Sequence, residues 1–201
     1  GTAETVTAGS GVNDSGFISR GLYSVNGRSV PITKMTCGGT SAKWMAAGLS
    51  RRKALFKYFT HAICNYGTND SISENRTATQ VLADLKTIWG ELKAAGVRRV
   101  EQVGIIPRTT STDSWAIVVN QTPRTGFETS GAFRDALNAA LLANVGADGL
   151  DAYRSISSRC ADGTSLDKWA ATGYTADGVH PSVAVHTAAG ADVTGWAQAW
   201  V

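Results

Sequence analysis

Four short apolar runs, three of them closed by a turn-forming residue, and stretches of helical spacing between them constrain this chain more than any other feature. Val30-Pro-Ile-Thr-Lys-Met-Thr36 and Tyr58-Phe-Thr-His-Ala-Ile-Cys-Asn65 end at Gly or Asn. Arg99-Val-Glu-Gln-Val-Gly-Ile-Ile106 stops at Pro107, and Gly149-Leu-Asp-Ala-Tyr153 is the fourth. Runs of this kind read as buried parallel strands feeding loops. Between them, Val81, Leu82, Leu85, Ile88, Trp89 and Leu92 recur at helical spacing over residues 79–96, with Gly96 as the stop. Phe133, Leu137 and Leu141 mark a second helix. Residues 182–200 give a terminal one with Val185, Ala189, Val193 and Trp196 on one side, and residues 42–55 also read as helical. The alternation predicts an α/β fold: a mostly parallel sheet covered by helices on both faces, with ligands bound beyond the carboxyl ends of its strands.

Composition narrows the function classes. At 201 residues and 43% hydrophobic the chain suits one domain, residues 1–201, with a sizeable core. Charged residues are 17%, below the roughly 25% of ordinary soluble domains, and Gly is raised at 22 residues. Lys+Arg 19 against Asp+Glu 16 leaves +3, scattered along the sequence, which argues against a nucleic-acid partner. No apolar run approaches the ~20 residues of a membrane span. The three cysteines, Cys37, Cys64 and Cys160, form no Cys-x-x-Cys pair, which argues against a zinc ribbon or a disulfide scaffold. No metal and no cofactor is expected: Asp177, His180 and His186 lack the usual zinc spacings, and no phosphate loop or dinucleotide fingerprint is present.

Three short motifs carry chemistry. Cys37-Gly38-Gly39-Thr40-Ser41 ends one predicted strand and opens a helix, so its backbone N–H groups can face an anion; the plain alternative is a glycine turn with Thr40 or Ser41 as N-cap. Gly67-Thr-Asn69-Asp70 follows the second run and puts the Asn69 amide at a strand's carboxyl end, where it can donate to a developing oxyanion; the alternative is an Asx-type turn. Asp177-Gly-Val-His180-Pro181 sets a carboxylate three residues before an imidazole. The carboxylate can accept from Nδ1–H and leave the other ring nitrogen as general base, or the segment is a turn with an incidental His. His61, inside a strand, and His186, on the terminal helix, read as structural.

In this order and at this spacing, with Asn69 31 residues after Gly38 and Asp177-x-x-His180 near the C-terminus, the motifs resemble those of the SGNH/GDSL hydrolase family over nearly the whole chain. The resemblance implies a three-layer α/β/α sandwich with a mostly parallel, flavodoxin-like sheet, and hydrolysis of acyl esters. It implies that Gly38 (N–H) and Asn69 (side chain) form the oxyanion hole, that His180 is the general base and that Asp177 orients it. The family's nucleophile lies in a Gly-Asp-Ser motif ending an apolar first strand, and no such strand precedes a serine here. Gly1-Thr-Ala-Glu4 is similar to the stretch that follows that motif, so the nucleophile and the first strand are expected upstream of Gly1, with Ser15 in Asn13-Asp14-Ser15-Gly16 as the in-chain alternative.

The expectation is thus a serine esterase for short acyl, chiefly acetyl, esters on carbohydrate, since the chain has little length for a large lid. The rival is a hydrolase-like domain without its nucleophile that binds carbohydrate through its six Trp, although Trp44, Trp89 and Trp196 fall on helix faces where core packing explains them. A thioester or phospholipid hydrolase is a third. Low charge and abundant Gly, Thr and Ser fit an extracellular or phage-particle setting.

Overall fold

The structure, a computed structural model, describes residues 16–36, 38–129 and 131–201, with the backbone of Glu4–Thr5. In chain order the elements are β1 (Glu4–Thr5), α1 (Phe17–Leu22), β2 (Thr33–Lys34), α2 (Ala42–Ala47), β3 (His61–Cys64), α3 (Thr68–Ser73), α4 (Ala78–Ala94) and β4 (Arg99–Val103). Then come β5 (Thr109–Ser111), β6 (Gln121–Pro123), α5 (Phe133–Ala143), β7 (Ala152–Arg154), α6 (Ser157–Cys160) and α7 (Val183–Ala197). The chain divides into two compact units: Gly1–Thr36, Pro107–Pro123 and Ser158–Val201 form the first, Cys37–Ile106 and Arg124–Ser157 the second.

The second unit holds the α/β element expected from the sequence. Its three strands are parallel in the order β3-β4-β7, with His61 opposite Arg99 and Glu101 opposite Ala152. Parallel neighbours require long crossovers, which α4 and α5 supply. The apolar stripe of α4, Val81, Leu85, Ile88, Trp89 and Leu92, is buried. A capping box starts the helix: Thr77 Oγ1 accepts from Gln80 N–H at 3.3 Å while Gln80 Oε1 accepts from Thr77 N–H at 3.0 Å. β4 has a polar centre: Gln102 takes the Trp89 indole N–H at 3.4 Å and donates to the Tyr66 carbonyl at 3.2 Å. Its neighbour Glu101, fully buried, lies on the opposite face of the strand and is satisfied by Arg99 and Arg154. Beyond the end of β4, Asn138 of α5 bonds both backbone groups of Ile105, at 2.7 and 2.9 Å, as a neighbouring strand would.

In the first unit α1 crosses α7 at Gly21 and Gly190, so closely that a Cβ on Gly21 would lie 2.4 Å from the Gly190 carbonyl oxygen. Phe17 stacks on His186 at 6.1 Å and donates its N–H to His186 Nδ1 at 3.2 Å. The acceptor role requires a neutral imidazole, and burial followed by the nearby Arg20 and His180 charges lowers the His186 pKa accordingly. The antiparallel hairpin β5–β6 is held by Gln121, whose side chain bonds both backbone groups of Trp169 at 2.8 and 3.0 Å.

Three expectations are corrected. Residues 30–36 do not form a buried parallel strand: only Thr33–Lys34 is extended, it pairs antiparallel with β1, and no residue of the run is buried. Pro31 has no N–H for a ladder, and Lys34 resists burial. The helix expected over residues 42–55 ends at Ala47; Gly48 caps it and the chain continues as 3₁₀ turns at Leu49–Arg51 and Lys53–Tyr58. Trp44 is not core: it is 41% exposed, with the Arg52 guanidinium 4.2 Å above its ring. Trp89 is fully buried, as its position on α4 suggested.

Candidate active site

In the first unit the segment between Trp169 and α7 forms a tight loop around Thr175 and Asp177. Thr175 is its hub: the hydroxyl oxygen accepts from Gly178 N–H at 2.9 Å, and the hydroxyl donates to the His180 carbonyl at 2.8 Å. A bridge between Thr175 and Pro181 closes the loop. Asp177 Oδ1 accepts the backbone N–H groups of Val179 and His180, each at 2.8 Å, while Oδ2 lies 2.7 Å from His180 Nδ1. The turn and the imidazole contact are therefore made together, one by each carboxylate oxygen.

The electrostatics fix the proton. Burial raises the Asp177 pKa, but the bonds from the His180 ring and from the two backbone N–H groups, with the His180 charge, outweigh it and hold the carboxyl at about 2. An ionised carboxylate only accepts, so the ring nitrogen facing it carries the hydrogen. A neutral His180 then has its lone pair on Nε2. The ring is 79% exposed, so that nitrogen is open to solvent. Such a pair has the chemistry a general base and its orienting carboxylate require.

In the second unit Asn69 stands in the first turn of α3, directly after β3. Gly67, at φ +123, makes the turn into it, a backbone conformation that strains any residue with a side chain. Asn69 Nδ2 donates to the Thr40 carbonyl at 3.2 Å, which ties it to the loop that holds Gly38. Around Gly38 the space is open, and a Cβ built on it would meet nothing within 4 Å. Ser41 is the N-cap of α2, accepting from Trp44 N–H at 3.1 Å. The first helical N–H groups do not wait for an external anion: Asp70, fully buried, accepts from Ala42 at 2.9 Å and Lys43 at 3.1 Å. The acidic residue of Gly67-x-Asn69-Asp70 is thus a cap on a neighbouring helix. Gly1, Ser15 and Cys37 lie outside the described residues.

Asp177 and His180 thus meet within the first unit, and Asn69 is bonded to the Gly38 loop within the second. Sequence reasoning passed over Thr175, although a Thr two residues before Asp in a loop is a turn signal. It also passed over Asp70 as a cap, because its partners lie 27 and 28 residues away. His61 sits on β3 with Nδ1 2.9 Å from Thr60 Oγ1. No protein-family model matches the chain, and no curated protein matches it.

Proposed function

We propose that this chain is the body of a serine esterase of the SGNH/GDSL kind, acting on short acyl esters, with acetyl groups on a polysaccharide as its substrate class. The observation that carries the reading is the 2.7 Å contact between Asp177 and Nδ1 of an exposed His180. In the proposed mechanism a serine Oγ attacks the ester carbonyl carbon as His180 Nε2 takes its proton. The carbon–oxygen bond to the alcohol then breaks and the imidazolium returns that proton to the leaving oxygen; a water deprotonated by the same nitrogen attacks the acyl carbon, the bond to serine Oγ breaks, and Oγ takes the proton back. Asp177 stabilises the imidazolium and fixes its orientation. The Gly38 N–H and the Asn69 amide are the proposed oxyanion donors; in support, Gly67 and Thr40 fix Asn69 in place, and the surroundings of Gly38 are unfilled.

The proposed fold is the three-layer α/β/α sandwich of that family, supported by the parallel β3-β4-β7 sheet and its crossover helices. The nucleophile is assigned upstream of Gly1, with Ser15 as the alternative, and the setting is extracellular or on a phage particle. The test is hydrolysis of p-nitrophenyl acetate by the 201-residue chain and by a form extended upstream of Gly1, each paired with His180→Ala. Hydrolysis that His180→Ala abolishes supports the reading, and its loss in Ser15→Ala, or its restriction to the extended form, assigns the nucleophile. A folded protein inactive in both forms would overturn the reading in favour of a carbohydrate-binding domain.

A further inference from the structure

We infer that Trp115 is a positioning residue for His180, acting through the backbone of Gly178. The functional meaning rests on the esterase reading; the geometry belongs to the first unit alone.

Gly178 lies between Asp177 and His180 and is held at every polar atom. Its N–H donates to Thr175 Oγ1, and its carbonyl accepts both the Thr109 N–H and the Trp169 indole N–H, each at 3.0 Å. Trp169 is fully buried, so this anchor reaches into the core. Gly178 has φ +71, and a Cβ there would meet the Thr109 carbonyl oxygen at 2.1 Å and Trp115 Cζ2 at 2.7 Å. The indole of Trp115 is therefore one wall of the loop that carries both Asp177 and His180.

Trp115 is itself placed at a conformational cost. It and Ser114 have φ of 62° and 58°, two successive non-glycine residues in the left-handed region. Such a pair persists only where its surroundings over-determine it. They do so here. Asp113 accepts from the Ser111 hydroxyl, the N–H groups of Ala116 and Ile117 and the Asn120 amide. Ser111 Oγ accepts the Trp115 N–H at 2.9 Å, and the Trp115 carbonyl accepts from Thr172 at 3.1 Å. The indole N–H then donates to Thr109 Oγ1 at 2.9 Å, and the Thr109 N–H is the one that holds Gly178. The β5–β6 hairpin thereby delivers a rigid ring to the backbone between the acid and the base.

The experiment reads the His180 tautomer directly. In ¹⁵N-labelled protein at a pH where the imidazole is neutral, Nδ1 and Nε2 shifts show which nitrogen is protonated, with the His180 signals assigned by their loss in His180→Ala. The parent is expected to be Nδ1–H, held by Asp177. Trp115→Ala is expected to move His180 towards the Nε2–H form that predominates in free imidazole side chains, and Trp115→Phe, which keeps a ring against Gly178, to restore the parent state. Trp115→Leu is read in the same way should the alanine variant not fold. A parent-like tautomer in Trp115→Ala, or in Trp115→Leu where that variant takes its place, overturns the inference. In whichever form hydrolyses ester, Trp115→Ala should lower kcat by on the order of 10- to 100-fold while KM stays within about twofold. If no form hydrolyses ester, the esterase reading fails, and the tautomer still decides the role of Trp115.

Discussion

Asp177 gives one oxygen to the turn and the other to the imidazole, and this division has a measurable acid signature. Its carboxyl is held at about 2, below its ordinary 3.8, so it contributes stability that is fully present above the ordinary value and is lost as pH falls through the lower one. Thermal melts of the parent and of Asp177→Asn should therefore differ by a constant amount at neutral pH, and the difference should shrink below about pH 4 and be lost only as pH falls below about 2. With the carboxylate 52% exposed, solvent screening keeps the effect small. Asn69 has a different signature. Asn69→Ala removes the bond to Thr40, costing about 1 kcal/mol in urea denaturation. If the amide also serves an oxyanion, kcat should fall by about 10²- to 10³-fold, and a loss below about fivefold would remove it from the mechanism.

At the scale of elements, side-chain amides pair with backbone groups as a neighbouring strand would. Asn138 pairs with Ile105 past the end of β4, and Gln121 pairs with Trp169 beside the β5–β6 hairpin. Asn138→Ala should leave the Ile105 N–H and carbonyl without those partners and lower stability by about 1–3 kcal/mol, measured as a shift in the urea midpoint at unchanged slope. These pairings also mark where sequence reasoning stops. α4, α5 and α7 were legible because each writes its buried stripe at helical spacing and carries a local stop or cap, such as Gly96 or Ser182. β3, β4 and β7 were legible as apolar runs, although each is shorter than its run. Residues 30–36 misled because an apolar run does not reveal that its neighbour is the short, antiparallel β1. The β5–β6 hairpin was hidden because its ladder holds Thr, Ser and Gln and its anchor is the distant Trp169. In the candidate site, Asp177 and His180 were readable because their contact is local, whereas Trp115 meets Gly178 only through the fold.

For the whole molecule, neither unit is a continuous stretch: the first is drawn from three segments and the second from two. Opening either one releases segments that are covalently continuous with the other, which favours a single cooperative transition. Cys64 in the second unit and Cys160 in the first test this, because both thiols are buried and burial pushes each to about 12. Both should resist alkylation in the native protein and become reactive together across a urea titration; separate midpoints would show the units opening independently. Light offers a second view of the same division. Among the six Trp, Trp89 and Trp169 are fully sheltered, one in each unit, whereas Trp44 is 41% exposed. Acrylamide should therefore extinguish the red side of the emission first and leave a blue residue from these two indoles. With either replaced by Phe, the remaining glow becomes an optical gauge of one unit alone.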